Sequence, residues 1–440
     1  LARTVIESVG DDQRKNGAAV VGALVLLTVP WAIVTGSSAY NEGAVNLMLA
    51  AGMACVLRRD INASPWRQGL LIALVCAAAV LSKPTALFFV PTALTVLMLI
   101  RAFSRSELWA IGWAAPFGLI MLSPWLLRNT IATGNPVFPY AAGVFGSGHW
   151  TNEQVERWVG GHHFDGSLLD RIGMLASERG FWHEQWMFAV LGPVVLACFV
   201  IGLAKKDTRR LMLALAGALG VQLVAWLLLT HLQSRFLMPM LVVMALVVGL
   251  GVQGLAHRAR EGVAIVVGIA IVGISMFTVY SPDDRGESKL GMLAPFTFDA
   301  SAIIESVPPG SISPQEIPTS LALAIMLPDR TDGLYLLGDA TPLYMPDPLV
   351  WHTTWDRSPI AEAMDNHEYT KATETLRELG AGYVLINFGE LQRLHRSGWY
   401  APEVTVDRVQ EFLRVQGEVL IAWPDRGQVL MRLNESEVSE

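Results

Sequence analysis

The sequence predicts an α-helical polytopic membrane domain of about nine transmembrane helices followed by a small extracytoplasmic α/β domain. Composition is the first reason. The 440 residues are 52% hydrophobic and 16% charged, with a mean hydropathy of +0.41, which excludes an ordinary soluble globular protein and a disordered one. Charge is the second. The net −7 is unevenly spread: positions 1–279 hold 20 Lys+Arg against 14 Asp+Glu, whereas 280–440 hold 12 against 25. A basic, apolar domain over 1–280, with an outer loop at 128–185, therefore precedes an acidic domain over 281–440 of ordinary soluble size. The acidic tail would repel phosphates, so no nucleic-acid partner is expected.

The third reason is the order of apolar windows. A bilayer core about 30 Å thick needs roughly 20 residues at 1.5 Å each. Windows of about that length, poor in charge, fall at 17–35, 42–57, 69–82, 85–100, 108–127, 186–204, 211–230, 236–256 and 262–279. The shorter ones call for tilt or for extension by their flanks. The connections alternate in charge. One set holds Arg14, Lys15, Arg58, Arg59, Arg67, Arg101, Arg105, Lys205, Lys206, Arg209, Arg210, Arg258 and Arg260; the opposite short connections hold only Lys83 and Arg235. By the positive-inside rule the first set is cytoplasmic, which puts loop 128–185 and the acidic tail outside a cytoplasmic membrane.

Within that loop, 153–159 and 168–178 have amphipathic spacing, and Trp150, Trp158, Trp182 and Trp186 suit the headgroup level. In the tail, 333–338 and 382–387 read as buried strands and 370–379 and 406–415 as helices. The segments 419–423 and 428–433 read as a hairpin turning at Asp425, Arg426 and Gly427. Cys55, Cys76 and Cys198 lie in apolar runs and form no disulfide or zinc pattern. The chain opens on Leu1 rather than Met, and is expected to be a fragment lacking its natural start.

Ionisable residues are costly in a membrane, so their positions mark function. Here they gather at the predicted outer helix ends: Tyr40, Asn41 and Glu42; Lys83 before Pro84; Arg128 and Asn129; His231, Gln233 and Arg235. Singly, each is explained by a helix dipole or by snorkelling. Together, three cations and a carboxylate on one leaflet suit an anionic lipid head, whose phosphate must be neutralised where water is scarce.

The run Pro124-Trp125-Leu126-Leu127-Arg128-Asn129, continued by Thr133-Gly134-Asn135-Pro136-Val137-Phe138-Pro139-Tyr140, resembles a motif of bacterial C-type membrane glycosyltransferases, in the family 39 and aminoarabinose-transferase neighbourhood. Arg235-Phe236-Leu237-Met238-Pro239 resembles their "R(F/Y)LLP" run. The stretch 38–42 resembles their acidic entry to an early span, and 379–387 resembles a strand of their outer domain. The likeness extends over about 23–433. It implies a polyprenyl-phosphate-linked sugar as donor and a lipid, glycan or protein acceptor outside the membrane. On that basis Lys83, Arg128 and Arg235 bind the donor phosphate, and Glu42 is a catalytic carboxylate, the second of the family's pair. Tyr40, Asn41, Asn129, His231 and Gln233 then position substrate. The family's principal acid precedes anything matching Leu1, so this stretch alone is expected to be inactive.

Other signals weigh less. Gly249-Leu250-Gly251-Val252-Gln253-Gly254 has dinucleotide-loop spacing but lies in an apolar span, so close helix packing is the expectation. His149, His162, His163, His183 and Glu184 show no repeating ligand spacing, so no metal site and no cofactor are expected, a divalent metal being unsupported. Asp339 reads as a turn residue and Asp356-Arg357 as a surface ion pair. Two rival classes remain, a lipid or solute transporter and a non-catalytic anchor displaying the acidic domain. A transporter calls for mid-span acidic residues and matched broken helices, which the sequence lacks.

Overall fold

A computed structural model describes residues 16–37, 40–57, 64–101, 104–255, 257–280, 313–315, 317–327, 330–340, 342 and 345–434. Of the expected basic set, Arg14, Lys15, Arg58 and Arg59 and the side chains of Arg101, Arg258 and Arg260 lie outside the described residues, as does the start of the tail, 281–312. The chain forms two compact units, 1–137 with 163–293 and 138–162 with 294–440. The sequence predicts the whole loop 128–185 as part of the membrane domain, whereas the segment Phe138–His162 packs with the C-terminal unit.

The first unit is helical. It comprises α1 (Asn16–Thr28), α2 (Pro30–Ser37), α3 (Glu42–Leu57), α4 (Pro65–Ser82), α5 (Ala86–Arg101) and α6 (Arg105–Thr133). Helices α7 (Ala142–Phe145) and α8 (Asn152–His162) belong to the second unit. The first resumes with α9 (Leu168–Gly173), α10 (Phe188–Ala204), α11 (Lys206–Leu229), α12 (Met238–Gln253) and α13 (His257–Tyr280). Every apolar window falls on one of these helices or, for the first, on the pair α1 and α2. Among the described residues five helices are long and apolar enough to cross a bilayer, six if that pair counts as one span, and three more apolar helices are shorter. The pair bends by 58° at Val29, because Pro30 disfavours helical backbone in the residue before it. Ser275 of α13 donates to the Thr28 carbonyl beside the break.

Helix α12 is the centre. From Met238 to Val252 every residue is buried, with α1, α3, α10 and α11 around it. Glycine permits this approach. A Cβ on Gly251 would stand 2.3 Å from Cys198 Cβ of α10, and one on Gly249 would stand 3.2 Å from the Ala18 carbonyl of α1. The dinucleotide-like run is thus a helix-packing surface. Helix α6 meets α4 in the same manner, Gly69 lying under Ala110 and Trp113. Its second half runs exposed, with Leu119, Ile120, Leu127 and Ile131 each more than half accessible, as befits a surface bathed in lipid.

The second unit holds α14 (Thr319–Met326), β1 (Gly333–Leu337), β2 (Leu349–Val350), α15 (Ala361–Asp365), α16 (Tyr369–Glu378), β3 (Ala381–Asn387), α17 (Phe388–Arg396), α18 (Val406–Gln416), β4 (Gly417–Trp423) and β5 (Gln428–Leu433). The sheet order is β2-β1-β3-β5-β4. Strands β2, β1 and β3 are parallel, while β5 is antiparallel to both β3 and β4. Alternation along β1 serves two cores: Tyr335 and Leu337 face α15 to α18, and Leu334 and Leu336 face α14. Burial on both faces explains the unbroken apolar GLYLL run. Gly427 closes the hairpin at φ +61°, a conformation that favours glycine.

The segment 138–162 is tied in by polar bonds. Trp150 Nε1 donates to Asp356 Oδ1 (3.2 Å), and Gln154 and Arg157 both donate to the Trp355 carbonyl. This corrects the aromatic-belt expectation. Trp150 and Trp186 are buried, Trp158 is half-buried among Tyr140, Trp150 and His162, and Trp182 alone of the four is exposed. Composition cannot separate an interfacial tryptophan from a core one. Asp356 caps Thr353, while Arg357 approaches Glu403 (3.9 Å) rather than its neighbour.

Gly251→Val is expected to overpack the α10–α12 contact and cost about 1–3 kcal/mol, read as a lower midpoint of thermal unfolding in detergent. Gly220→Ala, with open space at its Cβ position, should leave it unchanged. A second expectation concerns pH. Burial lowers His352, held between Tyr335 Oη (3.0 Å) and the Thr353 carbonyl (2.8 Å), and His162 likewise. The unfolded chain takes up protons near pH 6.5 that the folded histidines refuse, so stability must fall as pH drops through and below that value. Melting curves from pH 7.5 to 5.5 should show this decline, flattened in His352→Gln.

Candidate functional site

The first unit brings three of the predicted ionisable residues to one point, and local structure explains each. Glu42 opens α3, where a carboxylate favours the positive end of the helix. Lys83 follows α4 in extended backbone (φ −153°, ψ 113°), since Pro84 forbids another helical turn, and its N–H still closes onto Ala79. Arg235 lies in the 3₁₀ turn Ser234–Leu237, directly before α12, whose first turn contains Pro239.

Lys83 Nζ donates to Glu42 Oε1 at 2.5 Å, and Arg235 Nε stands 3.8 Å from the same oxygen. The Lys83 ammonium also lies over the Phe236 ring, 4.3 Å from its centre, and the Arg235 guanidinium lies 4.8 Å from the Tyr40 ring and 5.5 Å from Phe236. Aromatic faces attract cations, more so when water is displaced. Asn41 donates to the Ser82 carbonyl (2.5 Å). Three consecutive residues, Tyr40, Asn41 and Glu42, thus grip the strand of backbone bearing Lys83 and the side chain of Arg235.

Exposure is graded across the cluster: the Glu42 side chain is 3% accessible, Lys83 17% and Arg235 29%. The space among them is about 10 Å³, no more than a single water occupies. A ligand can reach the two cations from the open side but cannot pass between them to the carboxylate. Glu42 Oε2 and Arg235 Nε are buried and have no hydrogen-bond partner among the described residues. One negative charge faces two positive ones, and the arrangement is suited to an anion.

The other predicted residues take different places. Arg128 is exposed near the end of α6 and lies outside the recess; it rides on the half of α6 that stands free of the bundle. Asn129 donates to the Pro136 carbonyl (3.3 Å), closing the turn after α6. His231 meets Phe236 edge to face at 5.0 Å, and the Gln233 carbonyl accepts from Trp226 Nε1 at 2.9 Å. Sequence reasoning missed Phe236, the platform shared by both cations. It also missed Asn46, which is one turn below Glu42 on α3, 7% accessible, with no partner for its Oδ1 among the described residues. A polar residue four positions after a span-opening acid was the available signal. Among the described residues no three His, Cys, Asp or Glu side chains converge as a cation site.

The geometry can be set beside known proteins. Residues 12–157 match the model of a domain of unknown function, DUF8201, and no curated protein matches the sequence. Among solved structures, ArnT from Cupriavidus metallidurans in its apo state shares 13% identity at a TM-score of 0.56, covering 98% of this chain and 81% of that one. The fold is similar to that of ArnT along nearly the whole of this chain. Arabinofuranosyltransferase AftD from Mycobacteria also shares 13% identity, at a TM-score of 0.51, over 99% of this chain. The chain spans about a third of AftD's length, 32%. The five described helices long and apolar enough to cross a bilayer make the chain a multi-pass membrane protein.

Removing one member of the buried pair strands the other charges. Glu42→Gln is expected to destabilise the protein by about 3–5 kcal/mol, and Glu42→Gln with Lys83→Met by clearly less than the sum of the single changes. Thermal unfolding of the four proteins in detergent measures this; strict additivity would show that the pair is uncoupled.

Proposed function

We propose that this chain is the membrane body of a glycosyltransferase that moves a sugar from a polyprenyl-phosphate donor to a hydroxyl of a lipid, glycan or protein acceptor outside the cytoplasmic membrane. The observation that carries the reading is the cation pair Lys83 and Arg235, held at one end of an apolar helical bundle by one buried carboxylate. The fold shared with ArnT and AftD supports the same reaction class. In this reading the bundle comprises nine spans and the second unit is extracytoplasmic. Two groupings of helix ends support that alternation. Residues 40–42, 83 and 235 meet at one end, and at a connection of the opposite set Arg210 Nε donates to the Ile100 carbonyl.

Chemically, the acceptor hydroxyl attacks the anomeric carbon as the bond from that carbon to the phosphate oxygen breaks, and the electron pair leaves with the lipid phosphate. Lys83 and Arg235 neutralise that departing charge in a poorly hydrated setting, where the interaction is strongest. Glu42, closed off behind them, acts as the fixed counter-charge that aims both cations. The acceptor's proton passes to a base outside this cluster. Arg128, exposed on α6, contributes to the donor only through the loop that follows it.

Farnesyl phosphate, a short analogue of the donor lipid, tests the phosphate role. Arg235→Ala and Lys83→Ala should each weaken its binding about 10- to 100-fold, the range for a lost charge-assisted hydrogen bond, without loss of membrane insertion. Transfer from a polyprenyl-phosphate sugar by the full-length protein should fall in parallel. Unchanged binding in both variants would sink the phosphate role.

A further inference from the structure

Ser234 precedes Arg235 and is 4% accessible. Its Oγ accepts the indole N–H of Trp186 at 2.8 Å and that of Trp31 at 3.3 Å, and donates to the Gly180 carbonyl at 2.8 Å. A serine hydroxyl offers one proton and two lone pairs, so all of its capacity is spent on protein groups far apart in sequence. Each partner is itself held. Trp186 is fully buried. A side chain on Gly180 would collide with the Met174 carbonyl, 2.3 Å from its Cβ position. Trp31 stands in the first turn of α2, just past the 58° bend, with its ring 4.8 Å from that of His183.

The place of this hub sets it apart from an ordinary buried serine. It sits in a 3₁₀ turn whose next two side chains are Arg235 and Phe236, and Phe236 is the ring beneath the Lys83 ammonium. Any rotation of the turn displaces one cation directly and the support of the other. A buried hydroxyl with three fixed partners resists such rotation, since losing it would take from the Trp31 indole its partner among the described residues and leave the Trp186 indole and the Gly180 carbonyl only long bonds of 3.4 Å, to the Ser234 carbonyl and from the His183 N–H.

We propose that Ser234 is the positioning residue of the phosphate-binding pair: its hydroxyl, locked by Trp186, Trp31 and Gly180, sets the direction of Arg235 and the seat of Phe236. This rests on the phosphate reading above. Two measurements on the detergent-purified chain test it, binding of farnesyl phosphate by calorimetry and amide hydrogen exchange across residues 233–238. Ser234→Ala is expected to weaken binding about tenfold and to speed exchange in the turn, and Ser234→Thr, which keeps the hydroxyl, to recover both. In an Arg235→Ala background, Ser234→Ala should cause a smaller further loss of binding, the part that passes through Phe236 and Lys83. Should the alanine variant fold poorly, Trp186→Phe removes one donor while keeping an aromatic ring, smaller than the indole, and should loosen the same turn to a smaller extent.

Wild-type exchange together with wild-type affinity in Ser234→Ala would overturn the proposal, as would an equal loss of binding whether or not Arg235 is present. If the unaltered protein fails to bind farnesyl phosphate while Ser234→Ala still frees the turn and threonine restores it, the positioning role stands and the phosphate reading falls.

Discussion

Everything in the first unit depends on helix α12 being enclosed by protein along its length. A helix has backbone oxygens and a side-chain radius on every side, and neighbours normally keep 8–10 Å away. Gly249 and Gly251 remove that radius where α1 and α10 cross, so the neighbouring backbones reach it directly. Without water to drive association inside a bilayer, such close contact is the main source of helix–helix attraction. The site inherits its rigidity from this, since the turn holding Arg235 and Phe236 is the head of the same helix.

The site shows how one buried charge can organise several surface-reaching ones. Glu42 is the least accessible of the three ionisable groups and the only negative one. Its cost of burial is offset by two cations that it could not hold alone, and Tyr40 and Phe236 supply the faces that keep the cations from following water outward. The result is a positive surface whose geometry is fixed from below, the condition for stabilising charge that develops during a reaction rather than charge already present.

Much of this was readable from the amino-acid order. Glu42, Lys83 and Arg235 each stand at the end of an apolar run, and counting crossings predicts all three ends on one side, whereas their meeting at one oxygen is a matter of packing. Strands GLYLL and AGYVLIN were legible because burial on both faces leaves an unbroken apolar run. Arg128 stands apart from the other two cations for a reason the sequence conceals: it satisfies the same crossing count, but how far a helix stands from its neighbours depends on packing partners such as Gly69 and Trp113, not on its own hydropathy. The Ser234 hub was invisible because a single hydroxyl gains its meaning from indoles at positions 31 and 186. Trp150 and Trp186 looked interfacial because amphipathic rings suit a headgroup layer and a polar-lined core equally well.

The grouping of Phe138–His162 with the C-terminal residues also bears on how the chain is made. Synthesis runs from the N-terminus, and domains fold as their sequence becomes available. The segment with Trp150, Gln154, Arg157 and Trp158 emerges before α10 to α13, yet the Asp356 and Trp355 groups that satisfy it come about 200 residues later. Through that interval an aromatic, partly charged stretch waits without its partners while the rest of the membrane bundle is inserted. The second unit is therefore no bead added at the end of a finished bundle. Its first strap is laid early and waits for the stretch around Trp355, Asp356 and Trp399 to cover it, which ties the fate of 138–162 to residues made long after it.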